Sequence, residues 1–139
     1  MRCVSHPDGL PDLFLDRSLG RIAVPRLLRE AGLRLVTLSE HFGVPADQRI
    51  ADTVWLETAG ANAWTVFMKD AQIRRRPLER AAVEAHHIRC FCLTRQDLTG
   101  GQMAERFLAN LDAITRACAE PGPFIYAVYE TRVQRLAMS

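Results

Sequence analysis

Short apolar runs alternate along the chain with segments whose apolar residues recur at helical spacing. The runs, which predict buried strands, cover residues 12–16, 33–38, 64–68, 88–93 and 124–129. Helical periodicity lies between them, over residues 23–30, 46–60, 77–85 and 99–118. Pro25 and Pro77 fit the first turns of two of these helices, and Thr99 with Gln102 predicts a capping box at the start of the longest. Residues 41–45 are predicted to form a loop.

This alternation predicts a parallel sheet, because a crossover between parallel strands needs a helix. Strands that are apolar throughout are typically buried on both faces. We therefore predict an α/β fold, a three-layer α/β/α sandwich with a mainly parallel, roughly five-stranded sheet. We predict that residues 1–11 form a flexible lead-in and that residues 12–139 form a single domain. The last strand, 124–129, is predicted either as an inner strand or as an edge strand, and an edge would offer a dimer seam.

Composition narrows the class of protein without naming its partner. Apolar residues make up 48% and charged residues 24%, as in ordinary soluble proteins. The sequence has no apolar run of ~18 residues for a membrane span and no apolar core of a secretory signal at its start. We predict a cytoplasmic protein with no membrane partner. The net charge of +2 does not itself point to nucleic acid, but Arg74–Arg76 is a local cluster of a side chain that binds phosphate bidentately.

Acidic residues follow the predicted strands. Those that come at or soon after a strand are Asp16, Glu40, Asp70 and Asp97. Ligands of parallel sheets bind at the carboxyl ends of the strands, so we expect acids to converge there. Asp52 lies in the predicted helix between the second and third strands, beside Trp55 and Leu56. An unpaired charge next to such an apolar face is costly, which makes Asp52 a further candidate.

Converging carboxylates repel one another, and a hard divalent cation such as Mg²⁺ or Mn²⁺ relieves that repulsion. Such an ion suits phosphodiester hydrolysis, because it activates water and stabilises negative charge on phosphate. A basic rim would then hold an RNA backbone. The residues predicted for that rim are Lys69, Arg74, Arg75, Arg76 and Arg89.

Each of these residues also has a plain structural interpretation. Asp16 and Asp70 could cap turns, and three arginines alone are more often a solvated surface than a binding site. We favour a helix cap for Asp47 and a mainly structural role for Asp97, and Glu40 stays open between the two interpretations. The combination of acids at separate strand ends with the arginine cluster favours a site.

Other chemical motifs receive little support. His86, Cys90 and Cys92 share one side of a strand, but this spacing is not the usual C-x₂-C of zinc sites, and we predict buried core. The sequence has no P-loop, G-x-G-x-x-G or G-x-S-x-G motif. Ser18 stands where a haloacid-dehalogenase-type phosphatase would need an acid. A receiver-like phospho-acceptor role for Asp70 lacks the expected acid pair after the first strand.

Four segments carry a resemblance to a known family. They are LFLDRSLG, VPRLLREAGLRLVTLSEHFG, ADTVWLETA and WTVFMKDAQIRRRP. Together they resemble a PIN-like domain, and more narrowly the VapC-type toxins of bacterial toxin–antitoxin pairs, over roughly residues 12–95. The most specific part is the Lys69–Asp70 ending of the third strand with a basic stretch after it.

The resemblance implies an α/β/α sandwich whose strand-end acids bind Mg²⁺ or Mn²⁺ and cut RNA. Asp16 and Asp70 match the strand acids of the family and Asp52 its helical acid, so these three are the implied metal ligands. Glu40 is a possible fourth catalytic acid. The implied partners are an RNA substrate, a cognate antitoxin that blocks the acidic pocket and a second copy of the chain, since such toxins commonly form dimers.

The sequence also departs from the family pattern. Eleven residues precede the first strand, and arginines occupy the stretch where a further acid is expected. Asp97 is then a distant candidate, and one or two metal ions stay possible. We therefore carry two hypotheses: a metal-dependent endoribonuclease acting as a toxin, and a non-cleaving RNA- or partner-binding module with an incomplete acid set.

Overall fold

The computed structural model describes residues 5–138, which form one six-stranded sheet in the order β2-β1-β3-β4-β5-β6. The strands are β1 (Leu13–Leu15), β2 (Leu35–Thr37), β3 (Thr65–Met68), β4 (Arg89–Leu93), β5 (Phe124–Val128) and β6 (Val133–Leu136). The first five are parallel, and β6 pairs antiparallel with β5. The predicted mainly parallel sheet is confirmed, with one strand more than expected.

Helices connect the parallel strands. They are α1 (Ala23–Glu30), α2 (Leu38–Phe42), α3 (Asp52–Ala61), α4 (Pro77–Ala85), α5 (Gly100–Ala109) and α6 (Leu111–Ala117). Short 3₁₀ helices cover Arg17–Leu19, Ala46–Arg49 and Ala71–Arg75. Within residues 5–138, every helix is too short or too polar to cross a membrane.

Both faces of the sheet are covered by helices, which gives the three predicted layers, helix, sheet and helix. Leu13 and Leu15 pack on one side of the sheet in a core that includes residues of α1, α5 and α6. Phe14, between them in sequence, faces the opposite core, which includes residues of α2, α3 and α4. Successive side chains of a strand point to opposite faces, so a run that is apolar at every position can serve both cores. The α/β/α sandwich is confirmed.

Three predicted element boundaries are wrong for local reasons. The loop predicted at 41–45 begins later, because Thr37 and Glu40 form a capping box that starts α2 directly after β2. The helix predicted over 46–60 is interrupted by an extended residue, Ile50, ahead of α3. The helix predicted over 99–118 breaks at Asn110, although its Thr99–Gln102 capping box is confirmed.

The strand missed by the sequence pattern is β6. Two polar, exposed residues, Gln134 and Arg135, lie between its partly buried ends, so the strand lacks a continuous apolar run and gave no strand signal. A turn closed by the Tyr129 N–H, which donates to the Arg132 carbonyl at 2.8 Å, folds β6 back onto β5. β5 is therefore an inner strand between β4 and β6. The edge alternative for 124–129 is wrong, and so is the dimer seam that depended on it.

Part of the predicted lead-in packs against the sheet. Leu10 is buried in the core beside α1, α5 and α6. The His6 ring accepts the Arg34 N–H at 2.9 Å through Nδ1. Residues 6–10 are thus held by defined contacts, whereas residues 1–4 lie outside the described part of the chain. The assignment of 12–139 to a single domain stays a prediction.

Candidate active site

Asp16 lies at the carboxyl edge of the sheet. It directly follows β1, which is flanked by β2 and β3, and only 5% of its surface is exposed. The Ser18 hydroxyl donates to Asp16 Oδ1 at 2.5 Å. The same hydroxyl oxygen accepts the backbone N–H of Lys69 at 2.9 Å. Ser18 therefore fixes the carboxylate of Asp16 relative to the end of β3.

The environment of Asp16 favours its neutral form. Burial raises the pKa of Asp16 to about 7, the hydrogen bonds from Ser18 oppose this shift, and the negative charge of Asp52 adds to it. The influence of Asp52 places the two carboxylates within electrostatic range of each other. Asp16 and Asp52, 36 positions apart in the sequence, thus influence each other electrostatically. Asp16, Asp52 and Asp70, which follows β3 at the same edge, are called the acid cluster.

Asp52 is held at the first residue of α3. The Trp55 indole N–H donates to Asp52 Oδ1 at 2.9 Å, and the ring of Trp55 stacks on Phe14 of β1 at a centroid distance of 5.5 Å. Arg17 fixes the approach to α3, because its Nη2 donates to the carbonyls of Asp47, at 2.9 Å, and of Ile50. The residue next to Asp16 therefore anchors the backbone just ahead of Asp52.

Asp70 lies two residues beyond β3, which is the parallel neighbour of β1. Its Oδ1 accepts the Gln72 N–H at 3.1 Å, so Asp70 does cap the turn that follows. Its Oδ2 forms an ion pair with Arg76 Nη1 at 2.5 Å. The hydrogen bond to Asp70 raises the pKa of Arg76, and the charges of Asp70, Glu79 and Asp52 add to the rise. One guanidinium thus interacts with two of the predicted metal ligands.

Cys92 is a buried core residue that lies within electrostatic range of Asp16 and Asp70. Cys90 and Cys92 are fully buried, with their sulfur atoms 3.5 Å apart, so the predicted core role of this pair is confirmed. The hydrogen bond to Cys90 and burial raise the pKa of Cys92, and the negative charges of Asp16 and Asp70 raise it further. The negative charges of Asp16 and Asp70 therefore both disfavour ionisation of the buried Cys92 thiol.

The helix cap predicted for Asp47 is wrong. Asp47 lies inside the 3₁₀ helix Ala46–Arg49 and caps nothing. It is buried, and its Oδ1 has no hydrogen-bond partner among the described residues. It lines a cavity of about 10 Å³ together with Asp16, Arg17 and Thr37, which is about the size of one water molecule. No local pattern predicts this burial, because the residues that line the cavity with Asp47 come from segments distant in the sequence.

Two predicted acids are engaged elsewhere. The Glu40 carboxylate binds both terminal nitrogens of Arg29, at 2.6 and 2.7 Å, and this pairing lowers the pKa of Glu40. Asp97 forms an exposed pair with Arg95 at 2.7 Å, which lowers the pKa of Asp97. Within residues 5–138, no hydrogen bond or ion pair joins either acid to Asp16 or Asp70.

The basic residues divide between the two ends of the sheet. The side chain of Arg74 donates to the Ala137 carbonyl at 3.2 Å, and Arg75 is exposed. The Lys69 carbonyl accepts from the Gln96 side chain at 2.9 Å. Arg89, by contrast, begins β4 at the amino edge, where its Nε donates to the Glu120 carbonyl at 2.9 Å. Arg89 is thus separated from Asp70 and Arg76 by the length of β4, and its RNA-binding role stays a prediction.

The donor chemistry of the acid cluster fits a hard divalent cation. Carboxylate oxygens are the ligands that Mg²⁺ and Mn²⁺ prefer, and a cation would offset the charges of Asp16 and Asp52. The ligand shell is not assembled, however. In the described part of the chain, no three His, Cys, Asp or Glu side chains are grouped as a metal site. The carboxylates of Asp16, Asp52 and Asp70 are turned instead toward Ser18, Trp55 and Arg76.

Comparisons with known proteins agree with this architecture. Residues 11–95 match the family described as "PIN like domain". The chain is 44% identical over 127 residues to a Mycobacterium tuberculosis protein named "Putative ribonuclease VapC45". That alignment covers 91% of this chain and 92% of the relative. No solved structure matches the chain. The extent of the family match and the identity to this relative show that the chain belongs to the family of PIN-like domain proteins.

Proposed function

We propose that the protein is a metal-dependent endoribonuclease that acts as the toxin of a toxin–antitoxin pair. The observation that carries this proposal is the acid cluster at the carboxyl edge. There, burial and the charge of Asp52 disfavour the ionised carboxylate of Asp16, and the positive charge of Arg17 opposes them only weakly. The name of the 44% identical relative adds support for RNA as the substrate.

Asp16, Asp52 and Asp70 are the residues proposed to hold Mg²⁺ or Mn²⁺. When bound, such an ion supplies an activated water and stabilises negative charge on the phosphodiester. Ser18 and Trp55 orient two of the three carboxylates. Exposed basic residues after β3, with Arg75 foremost, would bind the RNA backbone. Glu40 would have to leave Arg29 to take part, so its catalytic role stays a prediction.

A specific observation favours the second hypothesis, a module that binds RNA or a protein without cutting. Among the described residues the ligand shell is not preassembled, and Arg76 already occupies one oxygen of Asp70. A binding module would keep its affinity for RNA in EDTA and would show no metal-dependent cleavage. The cognate antitoxin, a cytoplasmic location and a homodimer stay predictions under both hypotheses.

The test compares two substitutions at opposite edges of the sheet. Asp70→Asn alters the proposed site. Asp12→Asn is its control, because Asp12 also forms an ion pair with an arginine, Arg34, at 2.7 Å. Asp12 precedes β1 and therefore lies at the opposite edge of the sheet. RNA cleavage is measured with Mn²⁺ and with EDTA. We expect the parent and Asp12→Asn to produce discrete Mn²⁺-dependent fragments and Asp70→Asn to be slower by about 100-fold or more.

The possible results separate the hypotheses. Parental cleavage by folded Asp70→Asn would overturn the assignment of the site. Absence of cleavage by the folded parent with every metal tested, together with retained RNA binding, would favour the non-cleaving module.

A further inference from the structure

The three consecutive arginines after Asp70 have three different environments. Arg74 contacts the C-terminal segment through the Ala137 carbonyl. Arg75 is exposed, and no hydrogen bond of its side chain is found within the described residues. Arg76 turns back to Asp70. The positive charge of this cluster is therefore divided, and one member faces the acids.

Backbone geometry helps hold Arg76 where it is. Arg76 is the residue before α4, Pro77 opens that helix, and the Arg76 N–H donates to the Ile73 carbonyl at 3.3 Å. Because the backbone is anchored on both sides, only the side chain is free to change partner. Its exposed fraction of 45%, against 32% for Asp70, means that water can replace the ion pair at small cost.

The charges around the Arg76 guanidinium are those of the proposed metal ligands. It binds Asp70 directly, and Asp52 contributes to its raised pKa. Asp52 in turn interacts with Asp16. A positive group at this place relieves repulsion among the carboxylates, which is also what a divalent cation would do.

We propose that Arg76 is a built-in counter-cation of the acid site. It neutralises Asp70 while no metal is bound, competes with a divalent cation for that carboxylate, and is released to an RNA phosphate when the cation binds. This inference rests on the proposed function, because it presumes that the acids bind a metal. It differs from an ordinary surface ion pair in one respect: removal of Arg76 should strengthen metal binding.

The experiment measures Mn²⁺ affinity without RNA, by electron paramagnetic resonance or calorimetry. Arg76→Ala is compared with the parent and with Arg75→Ala, which removes the same charge one residue away and leaves the ion pair intact. We expect Arg76→Ala to bind Mn²⁺ about tenfold more tightly, since a neighbouring positive charge disfavours a cation. Arg75→Ala should stay within about twofold of the parent, because exposed charges at a distance are screened.

Thermal unfolding supplies a second readout that needs no catalysis. In EDTA, Arg76→Ala should melt below Arg75→Ala, because Asp70 and Asp52 lose their counter-charge. Mn²⁺ should then raise its melting temperature more than that of the control, through linkage between binding and folding. Arg76→Gln, which keeps the stem and a donor without the charge, serves if the alanine variant fails to fold.

The outcomes separate this inference from the proposed function. Mn²⁺ binding by Arg76→Ala that is no tighter than binding by Arg75→Ala overturns the counter-cation role and leaves the metal site standing. Absence of Mn²⁺ binding in the folded parent and in both variants overturns the metal site, and the inference with it.

Discussion

Two aspartates of one cluster have opposite electrostatic environments. Asp16 is buried and receives hydrogen bonds from Ser18, whereas Asp70 is partly exposed and paired with Arg76. Burial without a cation penalises the charged form of Asp16, which is why its pKa rises to about 7. Protonation of Asp16 and the pairing of Asp70 with Arg76 thus both reduce the negative charge of the site before any metal binds.

The raised pKa of Asp16 predicts how stability depends on pH without metal. The folded protein holds the proton of Asp16 up to about pH 7, and the unfolded chain loses it near pH 3.8. The folded state therefore binds more protons between these values, so stability falls as pH rises from about 4 to 7. The cost is fully present above pH 7, with an upper bound of about 4 kcal/mol.

Asp16→Asn should remove this cost, since the amide keeps the shape of the side chain and carries no charge. In EDTA at pH 8 we expect the variant to be more stable than the parent by about 2 kcal/mol or more. The difference should shrink toward zero at pH 4, as followed by chemical unfolding across the pH range. A difference that does not change with pH would contradict the buried-acid interpretation.

Sequence patterns could place the acids because strand direction is a strong constraint. Asp16 and Asp70 follow adjacent parallel strands, so the fold class alone puts them at one edge. Asp47 and Arg76 could not be assigned in the same way. The burial of Asp47 depends on residues distant in the sequence, and Arg76 turns back past a 3₁₀ helix to reach Asp70. Such contacts leave no periodic signal.

At the scale of elements, the break between α5 and α6 shows how a polar side chain overrides helical periodicity. Apolar residues recur through this region as if one helix continued. Asn110, which is 3% exposed, instead donates its amide to the carbonyls of Arg106 and Tyr129, both at 2.8 Å. The break thereby fastens the helical layer to the turn between β5 and β6. Apolar residues of both helices still pack in one core, but the sequence could not predict the tertiary bond that interrupts the helix.

This arrangement predicts a large stability difference between two similar asparagines. Asn110→Ala should cost about 1–3 kcal/mol, because a partly buried carbonyl of the β5–β6 turn loses its donor. Asn62→Ala is the control, since Asn62 also ends a helix and donates to the carbonyl four residues earlier, at 2.9 Å, but is exposed. That control should cost less than about 0.5 kcal/mol.

Urea unfolding of the two variants and the parent measures both effects. Equal losses of stability for Asn110→Ala and Asn62→Ala would show that the bond to the β5–β6 turn adds nothing to the free energy of unfolding.

At the scale of the whole molecule, the sheet separates two chemically different edges. The carboxyl edge carries the acid cluster with Arg76, whereas Arg74 reaches the Ala137 carbonyl beyond the end of β6. The amino edge carries Arg89, His86 and Trp64 around a cleft of about 320 Å³. A net charge of +2 hides this separation, because acids and bases cancel in the sum. The direction of the strands places Arg89 at the edge opposite to the acids, and its RNA-binding role stays a prediction.

This separation predicts which arginines RNA binding requires. Binding of a single-stranded RNA is measured in EDTA, so that cleavage does not interfere, over a range of salt concentrations. Arg75→Ala should weaken binding and reduce the slope of log affinity against log salt by about 0.7, the change expected when one phosphate is no longer neutralised. Arg89→Ala removes an equal charge from the opposite edge and should leave the slope unchanged.

Because both variants lower the net charge by the same amount, a general electrostatic attraction would weaken binding equally in both. Equal slopes would therefore contradict an RNA path along the carboxyl edge, and weaker binding confined to Arg89→Ala would move that path to the amino-edge cleft.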